Sequence, residues 1–228
     1  MKLTSIPKAR RTLMIGLACF FSGALTHIHA IEIDPNSNYM KNGQPIEPWK
    51  YSVGNGLNYS IAVIDQHATT TRKNLTVSPI TKENKNDAIN LKWKGKKVKN
   101  EWGGNILYDT FFSVGHHQIN LESVKDVAAL GFEIKINKQP NDKVTISMQC
   151  NYDNKCKGAF QLKCGLLNLP EDEWTQMFIP LDCFSNDGEF DYSNITSILS
   201  VATQGKLDID LANIGLVAMA TGDLGCVK

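Results

Sequence analysis

Residues Lys206–Leu216 read KLDIDLANIGL, and this stretch decides the fold class. From Lys206 to Leu211, polar and apolar side chains alternate strictly. Alternation with a period of two is the pattern of a β-strand that buries one face and leaves the other in water. The stretch therefore predicts a strand in a sheet whose one side packs on a hydrophobic core.

Short strands of the same kind recur along the chain and are separated by turn-forming residues, as in Gly54–Gly56, Gln139–Asp142 and Asn186–Gly188. Many short strands between Gly, Pro and Asn breaks are typical of a sandwich or jelly roll. We therefore expect an all-β fold, a β-sandwich or jelly roll, with one 3₁₀ turn at Leu181–Phe184. The predicted strands are residues 61–64, 88–93, 106–114, 129–136, 143–148, 159–162, 174–179, 195–201 and 206–217.

The first 30 residues have the composition of a secretory signal peptide. Basic residues at positions 2, 8, 10 and 11 precede an apolar run from Thr12 to Leu25, and a polar stretch then ends in Ala30. This order is typical of a cleaved export signal. The apolar run is about 14 residues long, shorter than the ~20 that a helix needs to span a bilayer. We expect a periplasmic or extracellular protein with no stable membrane span after cleavage.

Removal of residues 1–30 changes the charge of the chain. The full sequence carries a formal net charge of +1, and the loss of four basic and no acidic residues leaves about −3. That balance argues against nucleic acid or anionic lipid as the main partner, because both reward concentrated positive charge. The length suits a loosely ordered lead-in at residues 31–47 and one sandwich domain at residues 48–228.

Five cysteines follow the predicted signal peptide: Cys150, Cys156, Cys164, Cys183 and Cys226. In an oxidising compartment they are disulfide candidates first, and their spacings match no zinc pattern. Cys150 and Cys156 are spaced to close a hairpin loop, which leaves Cys164 to reach Cys183, although the sequence does not fix the pairing. Cys226 is then the odd one, either free or paired with another chain.

Six segments, in order over most of the chain after the signal peptide, resemble one family. They are Pro48–Gly54, Leu91–Gly95, Leu130–Ile136, Val144–Cys150 followed by Cys156, Trp174–Phe184, and Gly205–Leu211. Together they are similar to the galactose-binding-like domain at the C-terminus of ExoP-type glycoside hydrolase family 3 exo-β-glucanases. The resemblance implies a non-catalytic β-sandwich concerned with polysaccharides. In that family the domain is attached to a large enzyme, whereas here it follows its own signal peptide.

Binding of sugars needs flat aromatic faces for the C–H side of the ring, and amides or carboxylates for its hydroxyls. The candidate carbohydrate-binding residues are Trp102, Asn105, Tyr108, Asp109 and Gln118. The alternative places Trp102 over a sheet edge and Tyr108 in the core. Trp93 and Trp174 alternate with apolar neighbours, so we assign both to the core or a sheet edge.

Three functions remain open from the sequence. The first is a carbohydrate-binding module for β-glucan or a related glycan. The second is a structural sandwich that docks to an envelope protein or a glycoside hydrolase. The third is a jelly-roll hydrolase, for which Asp109 and Glu133 are the candidate carboxylate pair.

No catalytic or cofactor motif is present in the sequence. Sugar-binding jelly rolls often hold a structural calcium ion, and the sequence offers candidate ligands for one. These candidate ligands are Asp187, Glu189 and Asp191.

Overall fold

The structure is a computed structural model that describes residues 37–56, 60–96, 108–185 and 190–219. All of them belong to one compact unit, Ile31–Lys228. The strands are β1 (Asn38–Lys41), β2 (Gln44–Pro45), β3 (Lys50–Asn55), β4 (Ser60–Ala62), β5 (Ala68–Thr69), β6 (Leu75–Ile80), β7 (Ala88–Lys94), β8 (Thr110–Ile119), β9 (Ala128–Lys138), β10 (Val144–Cys150), β11 (Lys157–Gln161), β12 (Trp174–Pro180), β13 (Ile195–Thr203) and β14 (Lys206–Ala218). A short helix α1 (Lys163–Leu167) and 3₁₀ turns at Leu181–Phe184 and Tyr192–Asn194 complete the described elements.

The strands form two antiparallel sheets that enclose one core. The eight-stranded sheet has the order β12-β9-β14-β7-β6-β5, with β1 paired to β14 and β2 paired to β1. The six-stranded sheet has the order β11-β10-β13-β8-β3-β4. The apolar cluster between them takes side chains from both sheets. The predicted all-β sandwich is confirmed.

In strand β14, apolar and polar side chains alternate between the core side and the outer side of the sheet. Leu207, Ile209 and Leu211 point into the core and are fully buried. Asp208 and Asp210 point to the outer side of the sheet, yet only 8% and 2% of their surfaces are exposed. They are covered because β14 lies between β7 and β9, whose long polar side chains close over the two carboxylates.

Each predicted strand overlaps an observed one, and the 3₁₀ turn at Leu181–Phe184 is confirmed. Strands β3, β5 and β6 are not among the predicted strands. Part of the expected loose lead-in is also ordered, because residues 38–45 form β1 and β2. Tyr39 and Met40 are buried in the core, and the Tyr39 ring meets the edge of Trp49 with 4.9 Å between ring centroids.

The cysteines agree with the sequence only in part. Cys150 and Cys156 form a disulfide across the loop between β10 and β11, with Cα atoms 5.1 Å apart. The predicted pairing of Cys164 with Cys183 is wrong, because Cys164 is a free, exposed thiol. Leu166 of α1 packs into the core, and two positions away on this helix Cys164 faces water. Cys183 is disulfide-bonded, and its partner lies, with Cys226, outside the described residues.

Among the described residues, no helix is both long enough and apolar enough to cross a membrane.

Candidate functional site

The outward face of the six-stranded sheet carries a groove of about 670 Å³. Strands β3, β8, β10, β11 and β13 all contribute to it. The size falls in the range of small-ligand sites, roughly 300–1,000 Å³. The groove is therefore large enough for a short stretch of a polymeric ligand.

The floor of the groove is made of small hydroxyl side chains. Ser52, Ser113, Ser200 and Ser147 lie on β3, β8, β13 and β10, and all four line the groove. Each follows or precedes an apolar residue that points into the core, as Val53 does beside Ser52. Because side chains alternate across a strand, the buried apolar positions force the serines outward.

Two aromatic side chains reach the rim on strained backbone. His116 has φ of 68° and Tyr152 has φ of 53°, and both line the groove. Bulky residues rarely adopt this left-handed region, and such conformations cluster at functional sites. His116 lies where the β8–β13 register shifts, between Gly115 and Ile119, so a bulge turns its side chain toward the groove. Tyr152 follows in the disulfide-closed loop and is 63% exposed.

Phe111 and Tyr108 lie at the other side of the groove. Tyr108 stands against Gly56, whose φ is +71°. A Cβ atom at Gly56 would come within 2.9 Å of the Tyr108 ring. Because glycine has no Cβ atom, Gly56 can adopt the positive φ of the turn and also leaves room for the Tyr108 ring.

The charged side chains among the described lining residues are Asp109 and Lys157. Lys157 keeps an exposed surface overall, yet the loss of water around its ammonium lowers its pKa. The negative charge of Asp109 acts in the opposite direction and raises the pKa of Lys157. One cation and one carboxylate leave the groove nearly neutral, which suits a ligand without net charge.

Of the predicted sugar-binding residues, Tyr108 and Asp109 line the groove. Gln118 is exposed on β8 and is not part of the lining. Trp102 and Asn105 lie outside the described residues. Trp93 is buried and donates its indole N–H to the carbonyl of Thr110 at 2.8 Å, as expected of a core residue.

Of the candidate calcium ligands, the structure describes Asp191 alone. Asp187 and Glu189 lie outside the described residues. Asp191 caps a 3₁₀ turn, where its Oδ1 accepts from the backbone N–H and hydroxyl of Ser193 and its Oδ2 accepts from Asn151 Nδ2 at 3.0 Å. The hydrogen bonds from Ser193 and Asn151 lower the pKa of Asp191. The described ranges contain no group of three or more metal-ligating side chains.

The hypothesis that Asp109 and Glu133 act as a catalytic pair is wrong in its geometry. Asp109 lines the groove, whereas Glu133 is on β9 in the other sheet. There the Glu133 carboxylate accepts from Lys82 Nζ at 2.8 Å and from Asn213 Nδ2 at 2.5 Å. The two residues are on opposite sheets because the chain crosses from one sheet to the other between β8 and β9.

The outer side of the eight-stranded sheet carries a paired polar network. Asp210 binds Lys135 at 2.9 Å and accepts from Asn90 and Asn137 at 2.7 Å each. Trp174, on the edge strand β12, lies under Lys82 with the ammonium 5.3 Å from its ring, so the expected sheet-edge position is confirmed. Because the carboxylates and lysines satisfy one another, the network stabilises the sheet.

Two antiparallel sheets packed on one core, with a groove on one outward face, define a galactose-binding-like β-sandwich. Residues 47–216 match the ExoP C-terminal family, described as galactose-binding domain-like, and the chain belongs to that family. The predicted resemblance is confirmed. A search of curated protein sequences finds no relative that matches this chain.

Solved structures share the fold at low identity. The extra C-terminal domain of the exo-1,3/1,4-β-glucanase ExoP from a Pseudoalteromonas species is 15% identical, with a TM-score of 0.61 over 84% of this chain and 99% of that domain. The whole enzyme gives 14% identity and a TM-score of 0.62 over 87% of this chain, but only 22% of the enzyme. The family 30 carbohydrate-binding module of a Clostridium thermocellum cellulosomal cellulase gives 14% and 0.52, over 82% and 98% of the two chains.

The sequence did not identify the groove serines, Tyr152 or Lys157 as site residues. One feature of the sequence could have indicated the serines: each occupies an outward position in a strand whose alternate residues are buried. This alternation identifies the outward face of each strand separately. Which serines share a surface depends on how the strands pair.

Proposed function

We propose that this protein is a non-catalytic carbohydrate-binding domain that holds β-glucan or a related neutral glycan in the groove of the six-stranded sheet. One observation carries the proposal: a groove with a hydroxyl-lined floor is flanked by the rings of Tyr108, Phe111 and Tyr152. Aromatic faces contact the C–H side of sugar rings, and serine hydroxyls both donate to and accept from sugar hydroxyls.

The relatives support the same ligand class. One similar structure is named a family 30 carbohydrate-binding module, and another is a domain of an enzyme named exo-1,3/1,4-β-glucanase. The near-neutral groove fits an uncharged polysaccharide better than an acidic one.

The absence of hydrolysis is part of the proposal. Glycoside hydrolysis uses two carboxyl groups about 5–9 Å apart. Among the described lining residues, Asp109 supplies the one carboxylate. We expect no release of reducing sugar from β-glucans, and product analysis over a polysaccharide panel checks this.

Export belongs to the proposal as well. The basic and apolar order of residues 1–30 and the Cys150–Cys156 disulfide both favour an oxidising, non-cytoplasmic compartment. N-terminal sequencing of the protein from cell fractions tests it, with a mature terminus near Ile31 as the expected result. An intact N-terminus in the cytoplasmic fraction would contradict export.

Calorimetric titration with laminarin, mixed-linkage β-glucan, cello-oligosaccharides and galactosides tests the function. We expect saturable binding to at least one β-glucan. Tyr152→Ala should weaken it about three- to tenfold, because an aromatic contact contributes roughly 0.5–1.5 kcal/mol. Ile64→Ala is the matched control, since Ile64 is 65% exposed and outside the groove lining. No saturable binding to any neutral glycan would overturn the proposal.

A further inference from the structure

The four groove serines form one straight row across the strands. The pairing registers place Ser52 opposite Ser113, Ser113 opposite Ser200, and Ser200 opposite Ser147. The row continues to Ala62 on β4 and Ala159 on β11, which pair with Ser52 and Ser147. Small side chains thus occupy one position on every strand of the sheet. We call these six residues the serine row.

The hydroxyls at the floor are available to a ligand. In the described structure, no hydrogen bond joins the side chains of Ser52, Ser147 or Ser200 to another protein group. Ser147 is only 1% exposed, so its hydroxyl has little access to bulk water. The side chains of Ser52, Ser147 and Ser200 all line the groove. A hydroxyl both donates and accepts hydrogen bonds, so a ligand in the groove can supply partners to all three.

The residues beside each serine along its strand indicate in which direction a ligand chain can run. Along β8, Ser113 lies between Phe111 and Gly115, and along β10, Ser147 lies between Thr145 and Gln149. A chain that followed the strands would meet the Phe111 or Gln149 side chain. A chain that crosses the strands at this position meets only serines and alanines, so no bulky side chain of the row blocks a path perpendicular to the strands.

The spacing of the row suits a sugar polymer. Neighbouring strands lie about 4.8 Å apart, so the hydroxyls repeat at that distance and the row of six strands is roughly 24 Å long. This repeat is comparable to the length of one pyranose unit in an extended chain. Successive sugar rings over β3, β8, β13 and β10 therefore meet equivalent serine hydroxyls.

We propose that a glycan chain lies across the six-stranded sheet along the serine row, with one sugar ring per strand and the row hydroxyls as its polar contacts. The proposal rests on the glycan-binding function and adds the orientation, the contact residues and the length of the bound segment. Its ends pass over Ala62 and Ala159.

The experiment uses two kinds of variant, one with a bulky side chain at an end of the serine row and one with alanine in place of a row serine. Affinities are measured for oligosaccharides of the best-binding β-glucan, from the disaccharide to the hexasaccharide. In the native protein, affinity should rise with each added unit. Ala62→Phe and Ala159→Phe should each lower the affinity of the hexasaccharide to that of a shorter oligomer and leave the disaccharide unchanged. Thr76→Phe, which introduces the same aromatic side chain on β6 of the other sheet, is the control.

Removal of single hydroxyls tests the contacts. Ser200→Ala and Ser147→Ala should each weaken binding about threefold to tenfold, in line with one net hydrogen bond. Circular dichroism and the unfolding midpoint verify that the variants fold. Unchanged hexasaccharide affinity in both end-blocked variants, or in both Ser→Ala variants, would overturn the serine-row proposal. Native protein that binds no glycan would instead overturn the proposed function, so the two failures are distinguishable.

Discussion

The Ser113 hydroxyl lies 2.7 Å from the Ser197 hydroxyl on the floor of the groove. Ser197 Oγ is also within hydrogen-bonding distance of the carbonyl of Val114, at 3.1 Å. Each hydroxyl both donates and accepts, so either serine can supply the hydrogen between them. The pair joins β8 to β13 within the groove and places two hydroxyl groups side by side there.

Loss of the Cys150–Cys156 disulfide should destabilise the domain. The bridge closes a short loop between positions six apart, and the loop-entropy relation gives about 2 kcal/mol for its removal. Cys150→Ala/Cys156→Ala should lower the free energy of unfolding by about that amount in urea titration. Cys164→Ala, which removes a free and exposed thiol, should leave it unchanged. Equal unfolding curves for the double variant and the native protein would contradict the prediction.

Thiol labelling should find one reactive cysteine among the four between residues 150 and 183. We expect iodoacetamide to modify Cys164 in the folded, unreduced protein, and to leave Cys150, Cys156 and Cys183 unmodified. Cys183 is disulfide-bonded to a cysteine outside the described residues, and the same experiment identifies that cysteine. Peptide mapping by mass spectrometry, without and with reduction, checks both statements. A labelled Cys183, or a peptide linking Cys164 to Cys183, would disprove this assignment.

Asp210→Ala should be strongly destabilising. The Asp210 carboxylate is buried and binds Lys135, Asn90 and Asn137, so its removal takes the charged partner from Lys135 and one acceptor from each amide. We expect a loss on the order of 3 kcal/mol in the free energy of unfolding. Lys92→Ala, which breaks the more exposed pair with Asp208, should cost less than about 1 kcal/mol.

The Asp210 prediction has a second readout. Asp210 lies on the eight-stranded sheet, whereas the groove lies on the other sheet. Glycan affinity of folded Asp210→Ala protein should therefore equal that of the native protein. Equal unfolding costs for Asp210→Ala and Lys92→Ala would show that the network does not act as a buried unit.

Asp87 should make stability depend on pH in the acid range. Its carboxylate accepts backbone N–H groups of Lys82 at 2.6 Å, Glu83 at 2.9 Å and Asn84 at 2.6 Å. Burial by itself raises the pKa of Asp87, but the hydrogen bonds from Asn84, Lys82 and Glu83 together lower it. A carboxyl with a lowered folded-state pKa stabilises the fold above its unfolded pKa of about 3.9, and loses that contribution as pH falls through the folded value.

We therefore expect Asp87→Asn to lower the melting temperature at neutral pH, and the difference from the native protein to shrink as the pH falls below about 4. Thermal unfolding at a series of pH values measures this. Asp172→Asn, at an exposed turn position, is the control with no expected change. A difference that is the same at every pH would contradict a role for the ionised carboxylate.

The amino-acid sequence predicted the sheets better than the site. The alternation in β14, the strands at Ala128–Lys138 and Trp174–Pro180, and the 3₁₀ turn after Pro180 follow from local pattern and agree with the structure. Strand β3 was missed as a strand, because its outward positions hold Ser52 and Gly54, which weaken the local β signal. Tyr108 and Asp109 were predicted by residue type alone, because aromatic and carboxylate side chains near a turn suit sugar binding, and both line the groove.

The sequence by itself determined that the chain is a β-sandwich, because burial of alternate side chains is a local property of each strand. It also determined the family, through six short segments in order. Only the tertiary structure decided that Ser52, Ser113, Ser200 and Ser147 stand in one row, that Glu133 lies on the opposite sheet from Asp109, and that Cys164 faces water. These relationships depend on which strands pair and in which register, and such long-range pairing is set by the packing of the whole core.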